Sequence, residues 1–386
     1  MSAAPTSTSD AARPLRVAVV MPLSEQRGGS EVLLEHLVRY GRGGTMDVRV
    51  LFFEDGPMVA AFRALGVPVA VLGAGRLRQP GPFARAAIRV WAYARREQID
   101  LVVGWSAKAH LYAGPAAWAA GVPAAWFQHG IPDGRHAMDL AATRIPARGV
   151  FACSAAAARA QEALRPRRET AVVYPSADLA RFNPARLPSP AGARVQLGLS
   201  PDGPLIGIVG RLQRWKGMHT LVEAFPAVLA RHPDARAVVV GGRHEMEPDY
   251  EAHLHARIAA LGLEDRVLIA GFQSDVPLWT QAFDVVVHAS DREPFGIVVV
   301  EAMALGKPVV AGASGGPLEV ITDGVDGLLT PFDDAPALAA ALVRLLGDPA
   351  AAHAMGEAAR TRAQAFSAEA FAARFEEAAR ALLALR

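Results

Sequence analysis

Residues 284–305 read DVVVHASDREPFGIVVVEAMAL. The apolar run at residues 284–288 predicts a parallel strand that is buried on both faces. Residues 296–305 then predict the helix that follows this strand. Glu293 therefore lies in the loop beyond the carboxyl end of the strand, which is where open α/β sheets bind their ligands.

A second carboxylate lies on the predicted helix. If the helix begins near Gly296, then Ile297 and Glu301 are four residues apart on one face, with Glu301 beneath the mouth of the helix. Carboxylates only accept hydrogen bonds, so Glu293 and Glu301 together suit a ligand with many hydroxyl groups. The free amides at the helix start favour an anionic group nearby.

A basic segment lies upstream. The apolar residues 204–209 predict a strand that runs into Gly210-Arg211-Leu212-Gln213-Arg214-Trp215-Lys216-Gly217, before a predicted helix at 218–229. A guanidinium and an ammonium beside a helix N-terminus can neutralise a diphosphate without a metal. Arg211 and Lys216 are therefore candidate diphosphate ligands.

In this order, the motifs resemble the retaining glycosyltransferases of family 4, which have the GT-B fold. The resemblance is strong over residues 205–331. It rests on Gly210-Arg211-Leu212 with Lys216-Gly217, then Glu293 and Glu301 eight positions apart, then Gly315-Gly316-Pro317-Leu318-Glu319. It is looser in the N-terminal half, where the matching pieces are residues 27–30, 127–130, 153–154 and 174–182. The family has Asn-Gly where this chain has Ser176-Ala177, so a differently built interdomain turn is expected.

The resemblance implies two Rossmann-like, doubly wound parallel-sheet domains that face an interdomain cleft. It also implies sugar transfer from a nucleotide-diphosphate donor to an acceptor hydroxyl, with retention at the anomeric carbon. The acceptor would attack on the side from which the diphosphate leaves, while Arg211 and Lys216 stabilise the growing charge. No metal or other cofactor is expected, because His244, His253 and His255 lack companions at metal-ligand spacing.

Further site residues follow from the same resemblance. His129 would contact the donor sugar, and with Arg211, Lys216 and Glu293 it completes the catalytic set; the alternative is a strand-end histidine bonded to a loop carbonyl. The expected donor-binding residues are Gly28, Gly29, Gly242, Phe272, Phe295, Gly296, Ile297, Glu301 and Glu319. Gly242 and Phe272 lie where successive strands end and would form a nucleobase wall through backbone contacts. For these two residues and for Gly28 and Gly29 the alternative is an ordinary turn, and for Glu319 it is a carboxylate at a helix N-terminus. His288 closes its strand near the cleft.

The alternation of strand-like and helical segments divides the chain into regions. They are a disordered tail at 1–14, an acceptor-side domain at 15–183, a proline-rich linker at 184–202, a nucleotide-sugar-binding domain at 203–365, and a C-terminal helix at 366–386 that crosses back to the first domain. The predicted strands are 16–21, 48–53, 67–72, 101–105, 124–128 and 150–153 in the first domain, and 205–209, 237–241, 267–270, 285–288 and 309–311 in the second.

Composition fits a two-domain enzyme. The chain has 386 residues, is 52% hydrophobic and contains one cysteine, Cys153. A single cysteine excludes an intramolecular disulfide and favours a reducing compartment, so a cytoplasmic location is expected. No nucleic-acid-binding motif is present, and nucleic acid is not an expected partner.

The small net charge of +2 hides an asymmetry. Residues 1–190 carry 23 Lys or Arg against 14 Asp or Glu, a net charge of +9, and the remainder carries 17 against 24, a net charge of −7. Much of the surplus surrounds a predicted helix with Phe83, Ile88 and Trp91, namely Arg76, Arg78, Arg85, Arg89, Arg95 and Arg96. Such a helix fits peripheral contact with the anionic inner face of a membrane, and a solvated arginine face is the alternative.

Other function classes stay open at this point. An epimerase or a phosphorylase could share the cleft, and a phosphorylase would need a cofactor lysine, for which the chain offers Lys108 or Lys307. A non-catalytic sugar-nucleotide-binding protein is a further alternative. A dinucleotide-dependent oxidoreductase fits poorly, because Gly73-Ala74-Gly75 lacks the third glycine of that motif. The donor base, the sugar and the acceptor do not follow from the sequence.

Overall fold

The computed structural model describes residues 13–25, 28–41, 44–75, 78–165 and 168–385. Of the predicted tail, residues 1–12 lie outside this part of the chain. The first domain contains a seven-stranded parallel sheet in the order β3-β2-β1-β4-β5-β6-β7. Its strands are β1 (Leu15–Met21), β2 (Met46–Phe52), β3 (Val69–Val71), β4 (Leu101–Gly104), β5 (Ala124–Gln128), β6 (Gly149–Ala152) and β7 (Glu169–Val172). Its helices are α1 (Gly29–Tyr40), α2 (Pro57–Ala64), α3 (Pro80–Arg96), α4 (Ala107–Ala120), α5 (Ala137–Arg144) and α6 (Ala155–Leu164).

The second domain contains a six-stranded parallel sheet in the order β10-β9-β8-β11-β12-β13. Helix α7 (Pro190–Gln196) precedes it. Its strands are β8 (Leu205–Val209), β9 (Arg236–Val240), β10 (Val267–Gly271), β11 (Val285–His288), β12 (Val309–Gly312) and β13 (Leu328–Thr330). Its helices are α8 (Met218–Leu229), α9 (Tyr250–Ala260), α10 (Val276–Ala282), α11 (Ile297–Ala304), α12 (Pro317–Val320), α13 (Ala335–Gly347) and α14 (Pro349–Ala363), and α15 (Ala368–Ala384) ends the described chain.

The predicted pair of doubly wound sheets is confirmed. In each sheet the strand order reverses once, between β1 and β4 and between β8 and β11. Ligands of such sheets bind beyond the carboxyl ends of the strands at this reversal. The loops after β8 and β11 carry the two predicted motifs, so the topology brings both to one point.

Buried apolar strands explain why sequence patterns locate most of the sheet. All five residues of β8, Leu-Ile-Gly-Ile-Val, are buried, as a parallel strand covered on both faces requires. The predicted bounds of α8 match the structure, and the helix predicted at 296–305 spans Ile297–Ala304. Strands β7 and β13 were not predicted. They are edge strands of four and three residues, and every residue of β7 is at least partly exposed, so no buried apolar run marks it.

The stretch at 184–202, interpreted from sequence as a linker, contains a folded helix. Arg194 of α7 is 6% exposed, and its guanidinium donates to the carbonyl oxygens of Ala282, Pro201 and Gly203. The same group forms a 2.6 Å ion pair with Asp284. These contacts attach α7 to the second domain.

Helix α15 packs on the first domain. The Ser367 side chain accepts a hydrogen bond from the Ala370 amide and so caps the helix. Phe371 and Phe375 are fully buried in the first core, where the Phe375 ring lies 5.1 Å from that of Phe151. The chain therefore crosses between the domains twice, which ties the second domain to the first at two places.

Among the described helices, none is by itself long and apolar enough to cross a membrane, and the one adjoining pair that passes jointly, residues 335–347 with 349–366, is bent by 103°.

Replacing Phe371, a core side chain of α15, should lower the stability of the first domain. Phe371→Ala is expected to cost about 3–5 kcal/mol of unfolding free energy, because it removes a fully buried ring from a packed core. Phe272→Ala, the same change at a side chain that is 79% exposed, is the control and should have little effect. Urea unfolding measures both. Equal midpoints for the two variants would contradict the packing of α15 on the first domain.

Candidate functional site

An ion pair joins the two motif loops. Lys216 follows β8 and Glu293 follows β11, and Lys216 Nζ lies 2.6 Å from Glu293 Oε2. Both side chains are largely buried, with 15% and 10% of their surfaces exposed. The Lys216 ammonium also lies over the Trp215 ring, 4.1 Å from its centroid. The structure therefore brings together two of the four predicted catalytic residues.

Glu293 is held in its ionised form. Burial by itself raises the pKa of a carboxyl group, but the hydrogen bond from His288 and the charge of Lys216 outweigh burial and hold the pKa of Glu293 well below its usual range. His288 Nε2 lies 3.2 Å from Glu293 Oε2. A carboxylate oxygen only accepts, so His288 donates through Nε2. Sequence patterns alone give His288 no role beyond closing a strand.

Glycine positions fix the shape of the Lys216 loop. Gly217 has φ of 71°, in the left-handed region, and a Cβ there would lie 2.0 Å from the Ala289 carbonyl oxygen. The Asp291 amide donates to the carbonyl oxygen of Trp215 at 2.8 Å. The two loops are thus packed backbone against backbone, which limits how far the Lys216–Glu293 pair can move.

A third loop supports Glu293 from the other side. Gly315 pairs with Glu293 in an isolated parallel bridge, and the Gly316 amide donates to the Glu293 carbonyl oxygen at 2.7 Å. Gly315 has φ of 70°, and a Cβ there would lie 2.1 Å from the same oxygen. The third sequence motif, residues 315–319, therefore supports the backbone of the Glu293 loop.

Arg211 and Phe272, two of the predicted site residues, are exposed to solvent. Arg211 is exposed and forms no ion pair with any described residue. The Leu212 amide donates to the Gly242 carbonyl oxygen at 2.9 Å, which sets the β8 loop beside the β9 loop. Phe272 follows β10 and is 79% exposed, and it lies next to Gly242, where a Cβ would approach its side chain to 3.1 Å.

Glu301 has no hydrogen-bond or ion-pair partner among the described residues. Burial raises the pKa of this half-buried carboxyl group to about 7, with Arg181 opposing the rise and Asp178 adding to it. A carboxyl group in such a place can accept hydrogen bonds from a ligand at no cost in lost protein contacts.

The other predicted residues at the helix start differ in accessibility. Gly296 caps α11 with φ of 94°. Ile297 reaches the first domain, since a Cβ on Gly29 would lie 2.7 Å from its Cδ1 atom. The Phe295 ring is 3% exposed and packs against Phe366. The Phe295 side chain is therefore part of the core, which leaves only its backbone to contact a donor.

On the first domain, His129 follows β5 and hydrogen-bonds a loop carbonyl. Its Nε2 lies 3.0 Å from the Trp105 carbonyl oxygen, and its ring stacks on Phe127. Burial lowers the pKa of His129 to about 4, so the ring is neutral. Because the carbonyl accepts, Nε2 carries the proton and Nδ1 presents a lone pair, which has no partner among the described residues.

The glycine turn of the first domain begins α1. Gly28 is the N-cap in an extended conformation, and the helix starts at Gly29. The Trp105 indole donates to the Ser30 carbonyl oxygen at 2.8 Å. His129, Trp105 and the start of α1 are thereby linked in one row along the carboxyl ends of β5, β4 and β1.

Glu319 has a different environment from the donor contact expected from sequence. Its two carboxylate oxygens accept hydrogen bonds from the backbone amides of Ala155 and Ala156, at 2.7 and 2.9 Å. These amides belong to α6 of the first domain. The carboxylate therefore binds the N-terminus of a helix across the cleft, because that helix end offers unpaired N–H groups and a positive dipole.

The Ser176-Ala177 turn is integrated into both domains. Ser176 is 1% exposed and its Oγ lies 2.8 Å from His36 Nδ1 of α1. The Ala177 amide donates to the Phe366 carbonyl oxygen at 3.1 Å. Burial lowers the pKa of His36, so a neutral ring meets the serine hydroxyl. Ser176 is thus a buried structural residue at the domain crossing.

Lys307 and Lys108, the candidate cofactor lysines of a phosphorylase, both lie away from the Lys216–Glu293 ion pair. Lys307 precedes β12, at the opposite edge of the sheet, and its Nζ donates to the Gln281 carbonyl oxygen at 2.7 Å. Lys108 lies at the start of α4 in the first domain, over the Phe53 ring. Within the described residues, no group of three or more His, Cys, Asp or Glu side chains is arranged to hold a metal ion.

Two family models match the chain. The model described as "Glycosyl transferases group 1" matches residues 192–362, and the one described as "Glycosyltransferase Family 4" matches residues 27–181. The resemblance to family 4 glycosyltransferases is thereby confirmed. The first covers the Lys216–Glu293 loops and the second covers the glycine turn and His129.

Among curated relatives, the D-inositol 3-phosphate glycosyltransferase of Salinispora arenicola is 38% identical over 205 residues, which is 51% of this chain and 46% of that protein. The lipopolysaccharide core biosynthesis mannosyltransferase LpsB of Rhizobium meliloti is 34% identical over 179 residues, 46% of this chain and 50% of that protein. The chain thus spans about half the length of the curated relatives it matches.

A solved structure is similar over nearly the whole chain. HepE of Anabaena in complex with UDP-glucose has a TM-score of 0.80 and 29% sequence identity, with 95% of this chain and 100% of that chain covered. The same protein in complex with UDP has a TM-score of 0.81. Two parallel-sheet domains facing a cleft are common to both proteins, which confirms the predicted GT-B fold.

The raised pKa of Glu301 predicts a pH-dependent loss of stability. The unfolded carboxyl group ionises near its ordinary value of 4.5 and the folded one near 7, so between these values the folded state holds the extra proton and stability falls as pH rises. Glu301→Gln lacks this loss. The free energy of unfolding of this variant is therefore expected to rise relative to the wild type between pH 5 and pH 8, by about 3 kcal/mol at most. This corresponds to a relative increase of several degrees in melting temperature.

Glu357→Gln is the matched control, since Glu357 is an exposed residue of α14 paired with Arg360. Its difference from the wild type should stay constant over the same pH range. A constant difference for Glu301→Gln as well would contradict a carboxyl group that titrates near pH 7.

Proposed function

Because this chain belongs to the family 4 glycosyltransferases with the GT-B fold, we propose that it transfers a sugar from a nucleotide-diphosphate donor to an acceptor hydroxyl. The reaction proceeds with retention at the anomeric carbon and without a metal. The observation that carries the proposal is the Lys216–Glu293 ion pair at the strand-order reversal of the second sheet. Arg211, on the same β8 loop, forms no ion pair with any described residue.

The donor diphosphate binds against these cations. Glu293 neutralises part of the Lys216 charge and fixes its position, so the ammonium is already oriented when the ligand arrives. Arg211 adds a guanidinium that no described carboxylate engages. As the sugar–oxygen bond breaks, charge grows on the leaving phosphate, and both cations stabilise it without a metal.

The hydroxyl groups of the donor meet groups that lack protein partners. Glu301 has a carboxyl group with no partner among the described residues, and the neutral His129 ring presents Nδ1 as an acceptor. Sugar and ribose hydroxyls donate to such acceptors. His129 orients the donor sugar from the first domain, so both domains must be close together for the reaction.

The donor nucleotide is a uridine diphosphate. Support comes from HepE of Anabaena, whose structures hold UDP and UDP-glucose, and from the exposed Phe272 ring beside Gly242, which offers a stacking surface for a base. The acceptor is a hydroxyl compound that the first domain binds. Glycan, lipid-linked and small-molecule acceptors all fit this chemistry.

Peripheral contact with the anionic cytoplasmic face of a membrane accompanies this function. On α3, Ile88 and Trp91 are 62% and 42% exposed, and Arg85 and Arg95 are exposed on the same helix. Trp118 of the neighbouring α4 is 71% exposed. Phe83 instead packs against Tyr112. Arg89 is exposed, and its guanidinium donates to the Leu72 carbonyl oxygen. Arg76 lies outside the described residues.

Removing the Lys216 ammonium should weaken donor binding and slow sugar transfer. At a hundred times its dissociation constant, UDP is expected to stabilise the wild type by about 2.7 kcal/mol, a shift of several degrees. Lys216→Ala should lose most of this shift and reduce kcat about a hundredfold, since a charge that stabilises the leaving group is gone. Thermal unfolding with UDP, GDP, ADP and dTDP and a UDP-release assay measure these effects.

Arg231→Ala, which removes an exposed cation of the same domain, is the control and should keep both the shift and the turnover. A normal turnover in Lys216→Ala would contradict the role of Lys216. Selective binding of UDP without release of UDP from its sugar derivatives would instead support a non-catalytic binding protein. Release of UDP without a glycoside product would mean that the donor is hydrolysed, and would contradict transfer to the acceptors tested.

Membrane contact has its own test. The protein is expected to sediment with phosphatidylglycerol vesicles at low salt and to remain in solution with phosphatidylcholine vesicles. Trp91→Glu should reduce the bound fraction about tenfold, because it places a carboxylate in the exposed apolar face of α3. Val195→Glu, at a 65% exposed position of the second domain, should bind like the wild type. No sedimentation of the wild type would rule the contact out.

A further inference from the structure

The two oxygens of the Glu319 carboxylate complete the N-terminus of α6. Ser154 caps this helix by accepting from the Ala157 amide, and Glu319 accepts from the amides of Ala155 and Ala156. The first three amides of α6 are thus all paired, two of them by a residue of the other domain. Since a helix N-terminus attracts negative charge, the arrangement is a specific attachment between the domains.

The attachment leads directly to the candidate catalytic pair. Glu319 lies on α12, whose N-cap is Gly316. The Gly316 amide donates to the Glu293 carbonyl oxygen, and Glu293 in turn holds Lys216. Arg362 fixes the other end of α12, donating to the carbonyl oxygens of Glu319 and Val320. A continuous set of contacts therefore links α6 to Glu293 through one short helix and one backbone hydrogen bond.

A second contact lies beside the first. The Cys153 thiol, at the end of β6, lies 3.7 Å from the Pro294 carbonyl oxygen, next to Glu293. Cys153 is 2% exposed, and burial raises the pKa of its thiol to about 12, so the group is neutral. The segment at residues 153–156 therefore meets both the Glu293 loop and α12, while it lies on the domain that carries His129.

We propose that Glu319 is a positioning residue that couples closure of the two domains to the placement of Glu293 and Lys216. When the domains are together, the α6 amides hold Glu319, and α12 holds the Glu293 loop in place; when they separate, this support is lost. Glu319 acts through α12, since its two carboxylate oxygens accept from backbone amides of α6 in the other domain. The catalytic part of this inference rests on the proposed function.

Two variants remove the attachment from opposite sides. Glu319→Gln replaces one acceptor oxygen with an NH2 group that faces a backbone N–H. Ala155→Pro deletes one of the two amide donors, at the first position of a helix, where proline is well tolerated. The preceding Ser154 is extended, with φ of −161° and ψ of 164°, as a residue before proline requires. Glu357→Gln, at an exposed carboxylate of the same domain, is the control.

Each single variant is expected to lower kcat about tenfold while the UDP dissociation constant changes less than twofold. The double variant should lose no more than either single one, because one attachment is broken in all three. Small-angle X-ray scattering should give a larger radius of gyration for both variants than for the wild type. Glu357→Gln should match the wild type in every measurement.

Weaker UDP binding with unchanged kcat in Glu319→Gln would overturn the proposal and make Glu319 a donor ligand. Losses that multiply in the double variant would also overturn it, since the two sites would then act independently. If the wild type neither binds UDP nor transfers sugar, the proposed function fails. The scattering comparison then still decides whether Glu319 joins the domains, because unchanged radii would exclude it.

Discussion

The contact between Lys216 and Glu293 constrains the rest of the second domain. Two charges that are largely removed from water are tolerated only when they are paired at close range and hydrogen-bonded. This requirement fixes the loops after β8 and β11 relative to each other. It also explains why His288 must donate to the same carboxylate oxygen, and why glycine occupies the points of closest backbone approach at Gly217 and Gly315.

Parallel topology makes this pairing possible. In a parallel sheet all strands end at the same edge, and at a strand-order reversal the loops of two neighbouring strands diverge and leave a crevice. The second sheet reverses between β8 and β11, and the first between β1 and β4. The site is consequently assembled from loops on rigid strands, which keeps polar groups in place at little entropic cost on binding.

The two sides of the cleft differ in how far their polar groups are already satisfied. In the second domain Lys216 and Glu293 satisfy each other, whereas Arg211 and Glu301 have no ion-pair partner among the described residues. In the first domain His129 is anchored through one ring nitrogen, and the other has no partner among the described residues. A ligand can therefore form new hydrogen bonds with Arg211, Glu301 and His129. It also meets the Lys216 ammonium in a position that is fixed before binding, as in a preorganised site.

The sequence by itself determined the elements that depend on local pattern. Continuous apolar runs locate β8 and β11, periodicity locates α8, and glycine turns mark the loops that carry Arg211, Lys216 and Glu293. The order of these motifs along the chain was sufficient to identify the family. Edge strands β7 and β13 and the folded helix α7 were missed, since their segments are short or rich in proline.

Only the tertiary structure decided which partners the polar side chains have. The contact of Glu319 with Ala155 spans 164 positions, and that of Lys216 with Glu293 spans 77. No local sequence pattern indicates contacts between residues so far apart in the chain. The role of a carboxylate depends on the group that lies within hydrogen-bonding range of it, so Glu319, Glu301 and Glu293 have three different environments despite one chemistry. The physical reason is that folding brings these groups together through packing of whole domains, while sequence periodicity reports only the face on which a residue lies.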